Sequence, residues 1–232
     1  MDIERKDNMQ HPDSRELLRL YLQMHSLIPL PPLVGDTIEV LPEQTRPGWS
    51  VCLAHLPDER LTLWLSNITE QEREELLERA TDGLHYASNI RYLMYQSAQS
   101  EMSEKEARSL ARRLTNEAQD RALAEAFSSN FYSGYESDEE YQPLVAAIQD
   151  GKIVCTVEGR HTRGAYELSV IGLDLALRQR HALAAAIVWT LEVFETGAVP
   201  LWSQLNNEPT RLRLAEKAGY RPFAKLARIN DD

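Results

Sequence analysis

Residues 173–204, LDLALRQRHALAAAIVWTLEVFETGAVPLWSQ, decide how the rest of this chain is read. The alanine-rich stretch from Arg180 to Thr196 predicts one long helix, preceded by a loop and stopped by Gly197. Leu201–Gln204 then reads as a short buried strand. Upstream, Lys152–Glu158 (KIVCTVE) and Ala165–Ile171 (AYELSVI) are strand-like, and the polar turn Arg160–Gly164 joins them as a hairpin. Tyr141–Asp150 is expected to form a short helix stopped at Gly151. Downstream, Thr210–Ala218 reads as a short helix ended by Gly219, and Phe223–Ile229 as a last strand.

The N-terminal half carries weaker signals. Residues 1–13 read as a disordered leader. Arg15–Ser26 places Leu17, Leu18, Tyr21 and Leu22 at helical spacing, which predicts a short amphipathic helix. The prolines of LIPLPPLVGD end it. Strand-like runs follow at Thr37–Leu41, Trp49–Leu56 and Leu61–Leu65. Thr69 with Glu72 makes a capping box ahead of Glu74–Ala80, and Ser103 with Glu106 makes another ahead of a long helix over Ala107–Phe127. His85–Ser97 fits helix or strand. Residues 128–142, SSNFYSGYESDEEYQ, mark a boundary or flexible loop. The expected division is a leader (1–13), an N-terminal α/β region without an assigned role (14–127) and a C-terminal domain (128–232).

Composition narrows the function classes. The chain has 232 residues, 43% of them hydrophobic, and a formal net charge of −11. That content supports a packed core, and the acidic balance argues against a general nucleic-acid binder, which needs a basic face. Residues 160–228 nevertheless carry ten Lys/Arg against six Asp/Glu, a local excess that suits a small polyanionic ligand. No run of about 18 apolar residues is present, so no membrane span is expected. Cys52 and Cys155 lie far apart without metal-ligand spacing and read as reduced, buried residues. The expectation is a cytoplasmic protein without a metal.

The order strand, basic loop, helix, strand, polar loop, short helix, Gly-aromatic, strand carries a family resemblance. It rests on Arg178-Gln179-Arg180-His181-Ala182-Leu183, Gly197-Ala198-Val199-Pro200-Leu201-Trp202, Asn207, Thr210 and Leu214-Ala215-Glu216-Lys217-Ala218-Gly219-Tyr220. In these residues the C-terminal half resembles the GCN5-related N-acetyltransferase (GNAT) family. The resemblance implies a mixed-sheet α+β fold of the acyl-CoA type, here with an additional N-terminal α/β region. It implies acetyl-CoA as co-substrate and transfer of acetyl to a primary amine on a small molecule, peptide or protein, in a chain that can form a homodimer. The acidic N-terminal half favours a cationic acceptor.

What the family does with these positions follows. Coenzyme A carries a pyrophosphate, which suits backbone N–H groups and positive charge at a helix N-terminus, so Arg178, Gln179, Arg180, His181, Ala182 and Leu183 would form its cradle. The family places glycines at the positions of His181 and Leu183, a departure that bears on how closely the backbone approaches the phosphates. Val170 and Ile171 would offer a strand edge to the pantetheine amides, and Asn207 would contact the cofactor. Glu167 matches a carboxylate that the family often uses as base. Ala215 stands where many relatives carry a tyrosine acid; Tyr220, at the packing aromatic position, either packs or serves as the acid. The alternatives are a catalytically degenerate GNAT that binds acyl-CoA or a protein, and a helical interaction protein resting on residues 69–127.

Overall fold

The computed structural model describes residues 13–26, 30, 32–39, 51–64, 69, 71, 74–75, 90–115, 117–128, 143–162, 164–172 and 179–229. In chain order the elements are α1 (Ser14–Ser26), β1 (Thr37–Glu39), β2 (Val51–His55), β3 (Arg60–Trp64), β4 (Ile90–Gln96), α2 (Glu104–Leu110), β5 (Ala111–Arg113), α3 (Ala118–Ser128), β6 (Val145–Gln149), β7 (Lys152–Thr162), β8 (Ala165–Gly172), α4 (Gln179–Glu195), β9 (Val199–Leu205), α5 (Pro209–Lys217) and β10 (Tyr220–Ile229). The expected α+β class is observed. The strands form one ten-stranded mixed sheet in the order β1-β3-β2-β10-β4-β9-β8-β7-β6-β5. Strands from both sides of residue 128 pair within it, since β4 lies between β9 and β10 and β5 pairs with β6.

Each face of the sheet buries one main helix. α1 puts Leu17, Leu18, Leu20, Tyr21, Leu22 and Met24 against Leu93, Leu201, Leu226 and Ala165. A helix this short is marginal alone in water; burying such side chains, at about 1.5–3 kcal/mol each, is what holds it. Arg15 and Arg19 fasten its polar side. Arg15 Nε donates to Glu59 at 2.7 Å, and its Nη1 donates to the Gly35 carbonyl at 2.9 Å. Arg19 Nη1 reaches the Leu30 carbonyl at 3.0 Å. On the opposite face α4 is buried along Ala182–Thr190, against Val145, Val157, Leu168, Val170, Trp202 and Tyr220. The helix expected over 180–196 and its stop at Gly197 are thus found, as are the β7–β8 hairpin, the short helix α5 and the last strand. β7 runs on to Thr162, so residues 160–162, expected in the turn, extend the strand.

Two helical expectations fail for physical reasons. Tyr141–Asp150 holds a strand, β6, and its short apolar run is ambiguous by periodicity. Asp150 and Gly151 both have positive φ (51° and 73°) and make the tight hairpin into β7, the Asp-Gly turn favoured by right-handed strand twist. The helix expected over Ala107–Phe127 starts as read, with Ser103 accepting from the Glu106 amide at 3.3 Å, but it leaves helical geometry at Ala111 (φ −140°, ψ 151°). Ala111–Arg113 pair instead with Val145–Ala147 and supply the strand beyond β6. Asp120, buried at 4% exposure, secures the break. Its carboxylate accepts from the Thr115 amide at 2.8 Å, the Thr115 hydroxyl at 2.9 Å and Arg112 Nη1 at 3.0 Å. His85–Ser97, which fits either element, contains strand β4. Glu72 and most of the helix expected over 74–80 lie outside the described residues.

Asp120 sets an acid limit. The Arg112 guanidinium, with the Thr115 donors, holds its carboxyl well below the usual range against the opposing effect of burial. A group depressed in the folded state contributes stability above its unfolded value of about 4 and loses it as pH falls. Asp120→Asn should therefore destabilise the protein at pH 7, and the gap between variant and parent in urea unfolding should shrink as pH falls below about 4. A gap independent of pH would contradict this account.

Gly219 carries a second constraint. Its φ is +92°, and a Cβ there would lie 2.3 Å from the Ala98 carbonyl oxygen, while its own carbonyl accepts from the Ser97 and Ala98 amides at 3.1 and 3.0 Å. Gly219→Ala should cost at least about 1–3 kcal/mol in denaturant unfolding, the usual range for a strained left-handed residue; a change within about 0.5 kcal/mol would remove the constraint.

Candidate active site

The sheet opens between the parallel strands β8 and β9. β8 and β9 pair in register from Ala165↔Val199 through Leu168↔Trp202. β8 continues to Gly172 and β9 to Leu205. Beyond Leu168 the inner edge of β8 therefore has no paired strand among the described residues, while its outer edge stays paired with β7 as far as Cys155↔Gly172. This is the edge expected at Val170 and Ile171. The Val170 side chain is buried on the α4 face, so only its backbone is offered there. The side chain of Ile171 lies outside the described residues.

α4 crosses from β8 to the parallel strand β9, so its N-terminus stands at the end of the sheet where the pair opens. Its first-turn amides lack intrahelical partners and carry the positive end of the helix dipole. Gln179 and Arg180 are exposed and His181 is half-buried. Ala182 and Leu183 are buried in the core, so of this pair only the backbone is available to a ligand. Arg180 Nη2 is held by Glu106 of α2 at 2.8 Å. Arg178 lies outside the described residues. Asn207 is exposed in the turn between β9 and α5, and the neighbouring Asn206 amide donates to the Ile90 carbonyl at 2.9 Å.

Glu167 sits one residue before the opening, on the α1 face of β8. Register places Ser203 of β9 and Arg91 of β4 on that same face. The Ser203 hydroxyl donates a short hydrogen bond to Glu167 Oε1, and Arg91 Nη1 donates to Ser203 Oγ at 2.7 Å. Glu158 of β7 belongs to the same face, its backbone paired with Ser169. It is half-buried without a hydrogen-bond or ion-pair partner among the described residues, and burial raises its carboxyl above the usual range. Sequence reading found Glu167 and missed Arg91, Ser203 and Glu158. No local pattern marks them, because they meet through strand register across as many as 112 residues.

Tyr220 resolves to the packing alternative. It is fully buried, edge-on to Trp202 with ring centroids 5.4 Å apart, and its hydroxyl lies 2.7 Å from Thr190 Oγ1. Burial pushes the phenol up, against a smaller lowering by Thr190. Cys155 is likewise buried and its thiol is pushed up to about 12 by burial, which suits an inert core residue. Among the described residues no group of three or more His, Cys, Asp or Glu is placed to hold a metal ion, and no helix is long and apolar enough to cross a membrane.

No protein-family model matches the chain, and no curated protein matches it. Several solved structures are similar to it. A GNAT-family protein from Novosphingobium aromaticivorans is 16% identical, over 60% of this chain and 63% of its own, with a TM-score of 0.41. A GNAT-family acetyltransferase from Colwellia psychrerythraea is 11% identical, over 67% of this chain and 62% of its own, with a TM-score of 0.49. A GCN5-related N-acetyltransferase-like protein from Streptococcus suis is 13% identical, over 77% of this chain and 83% of its own, with a TM-score of 0.45. The chain thus spans less than two thirds of the length of the first two.

Proposed function

We propose that this protein is an N-acetyltransferase that moves acetyl from acetyl-CoA to a primary amine of a small molecule, peptide or protein. The observation that carries the reading is the opening of the β8–β9 pair with Glu167 one residue before it. The unpaired edge of residues 169–172 offers peptide N–H and C=O groups to the two amides of a pantetheine arm, as a strand would. The α4 N-terminus at the same end of the sheet suits the pyrophosphate. There Gln179, Arg180 and His181 supply side chains, Ala182 and Leu183 supply backbone alone, and Asn207 flanks from the β9–α5 turn. Acetyl-CoA supplies the activated acyl carbon.

An amine attacks only as its free base, so the ammonium must first lose a proton, and Glu167 is the acceptor, directly or through one water. The nitrogen then bonds to the thioester carbonyl carbon and gives up its second proton to water, the C–S bond breaks, and the amide product and coenzyme A thiolate separate. Tyr220 is committed to Thr190 in the core, so the proton for the thiolate comes from water. That no acid is placed for the thiolate among the described residues, and the Arg180–Glu106 pair at the mouth of the helix, favour one second reading: a protein that binds acyl-CoA with little turnover.

A thermal-unfolding scan with acetyl-CoA at about a hundred times its dissociation constant should add about 2.7 kcal/mol, or several degrees. Coenzyme A should be released when a suitable amine is supplied, and Glu167→Gln should lower that release by about a hundredfold or more while keeping the thermal shift. A shift without release for any amine offered would select the binding reading, and no shift would sink both. Tyr220→Phe should lower stability by about 1 kcal/mol, the worth of one buried hydrogen bond, and leave turnover unchanged; a hundredfold loss in that variant would restore Tyr220 to the chemistry.

A further inference from the structure

We propose that Arg91 and Ser203 are positioning residues that orient the Glu167 carboxylate, linking a strand of the N-terminal half to the reaction centre. The polarity of the contact is fixed by chemistry. A guanidinium has donors and no acceptor, so Ser203 Oγ can only accept from Arg91. The serine proton is then directed at Glu167, which in its ionised form is an acceptor alone. Arg91 Nη1 to Ser203 Oγ is 2.7 Å, and the serine contact to Glu167 Oε1 is short. Each donor polarises the next, so the serine is a stronger donor with Arg91 behind it than without.

The arrangement is built into the sheet. β4, β9 and β8 are adjacent, and the three side chains stand in a line across one face. Arg91 is half-buried, and its Nε is buried with no hydrogen-bond partner among the described residues. The serine interposed between guanidinium and carboxylate aims one Glu167 oxygen at β9 and donates to it. A purely structural Arg–Glu pair would need no serine between them.

Other charges stand near this face. Glu158 comes from β7, and Arg160 is the backbone register partner of Glu167. On α1, which packs over the sheet, Arg15 is engaged with Glu59 and Arg19 with Glu16. The proposal rests on Glu167 being the proton acceptor, yet the contact can be tested without turnover. In the full chain, the Glu167 side-chain carboxyl is followed by carbon NMR as pH is varied, beside the pH profile of kcat/KM. Losing a donor to the ionised form disfavours that form. Ser203→Ala should therefore move the Glu167 midpoint up by about one pH unit and carry the acid limb of the profile with it. Arg91→Met should move both in the same direction by less, Arg91→Lys should fall between Arg91→Met and the parent, and Ser203→Thr should keep the parental midpoint.

An unmoved Glu167 midpoint in both Ser203→Ala and Arg91→Met overturns the positioning role, whatever Glu167 does in the reaction. A midpoint that moves while the acid limb stays in place overturns Glu167 as the proton acceptor and leaves the contact standing. Both moving together supports the proposal.

Discussion

Two parallel strands that stop sharing hydrogen bonds part-way along create a demand that the surrounding structure must meet. Backbone N–H and C=O groups are obligatory hydrogen-bonding groups, and leaving them buried and unpaired is costly. Here β8 and β9 part after Leu168 and Trp202. Each keeps its other edge satisfied, β8 by β7 and β9 by β4. At the point where backbone pairing between the strands ends, a side-chain bond takes its place, Ser203 to Glu167. The opening is therefore flanked on both sides by paired strands.

That arrangement depends on β4. β9 and β10 are consecutive strands separated by α5, yet they do not pair; β4, from more than a hundred residues earlier, lies between them. Both of its ends are tied to the C-terminal half. The Asn206 amide donates to the Ile90 carbonyl, and the Ser97 and Ala98 amides converge on the Gly219 carbonyl. The positive φ of Gly219 thus serves more than the end of α5, because it turns the carbonyl toward the strand that closes the middle of the sheet. The same strand delivers Arg91 to the face that holds Glu167. The N-terminal half is in this sense built into the same sheet and not merely joined to it.

Signals contained within a few residues were legible in the sequence. The alanine-rich α4, its glycine stop, the β7–β8 hairpin and the amphipathic α1 all follow from local composition and spacing. Where the outcome depended on a distant partner, local reading failed. Ala111–Arg113 left the helix because β6 offered a strand edge, and the buried Asp120 carboxylate could gather Thr115 and Arg112 only once the chain had turned. Residues 144–148 are too short an apolar run to choose between elements without knowing that β7 pairs with them. The site divides in the same way. Glu167 was singled out by a family resemblance, whereas Arg91, Ser203 and Glu158 share its face through register alone.

The two carboxylates on that face differ in what surrounds them, and the difference bears on their chemistry. Glu158 is half-buried with no partner among the described residues, so burial alone acts on it and favours its neutral form. Glu167 accepts a hydroxyl that an arginine polarises, a contact that favours the charged form. Environments that separate two nearby acids assign them different protonation duties. The donors that reach Glu167, Ser203 and through it Arg91, come from strands on which the local sequence is silent.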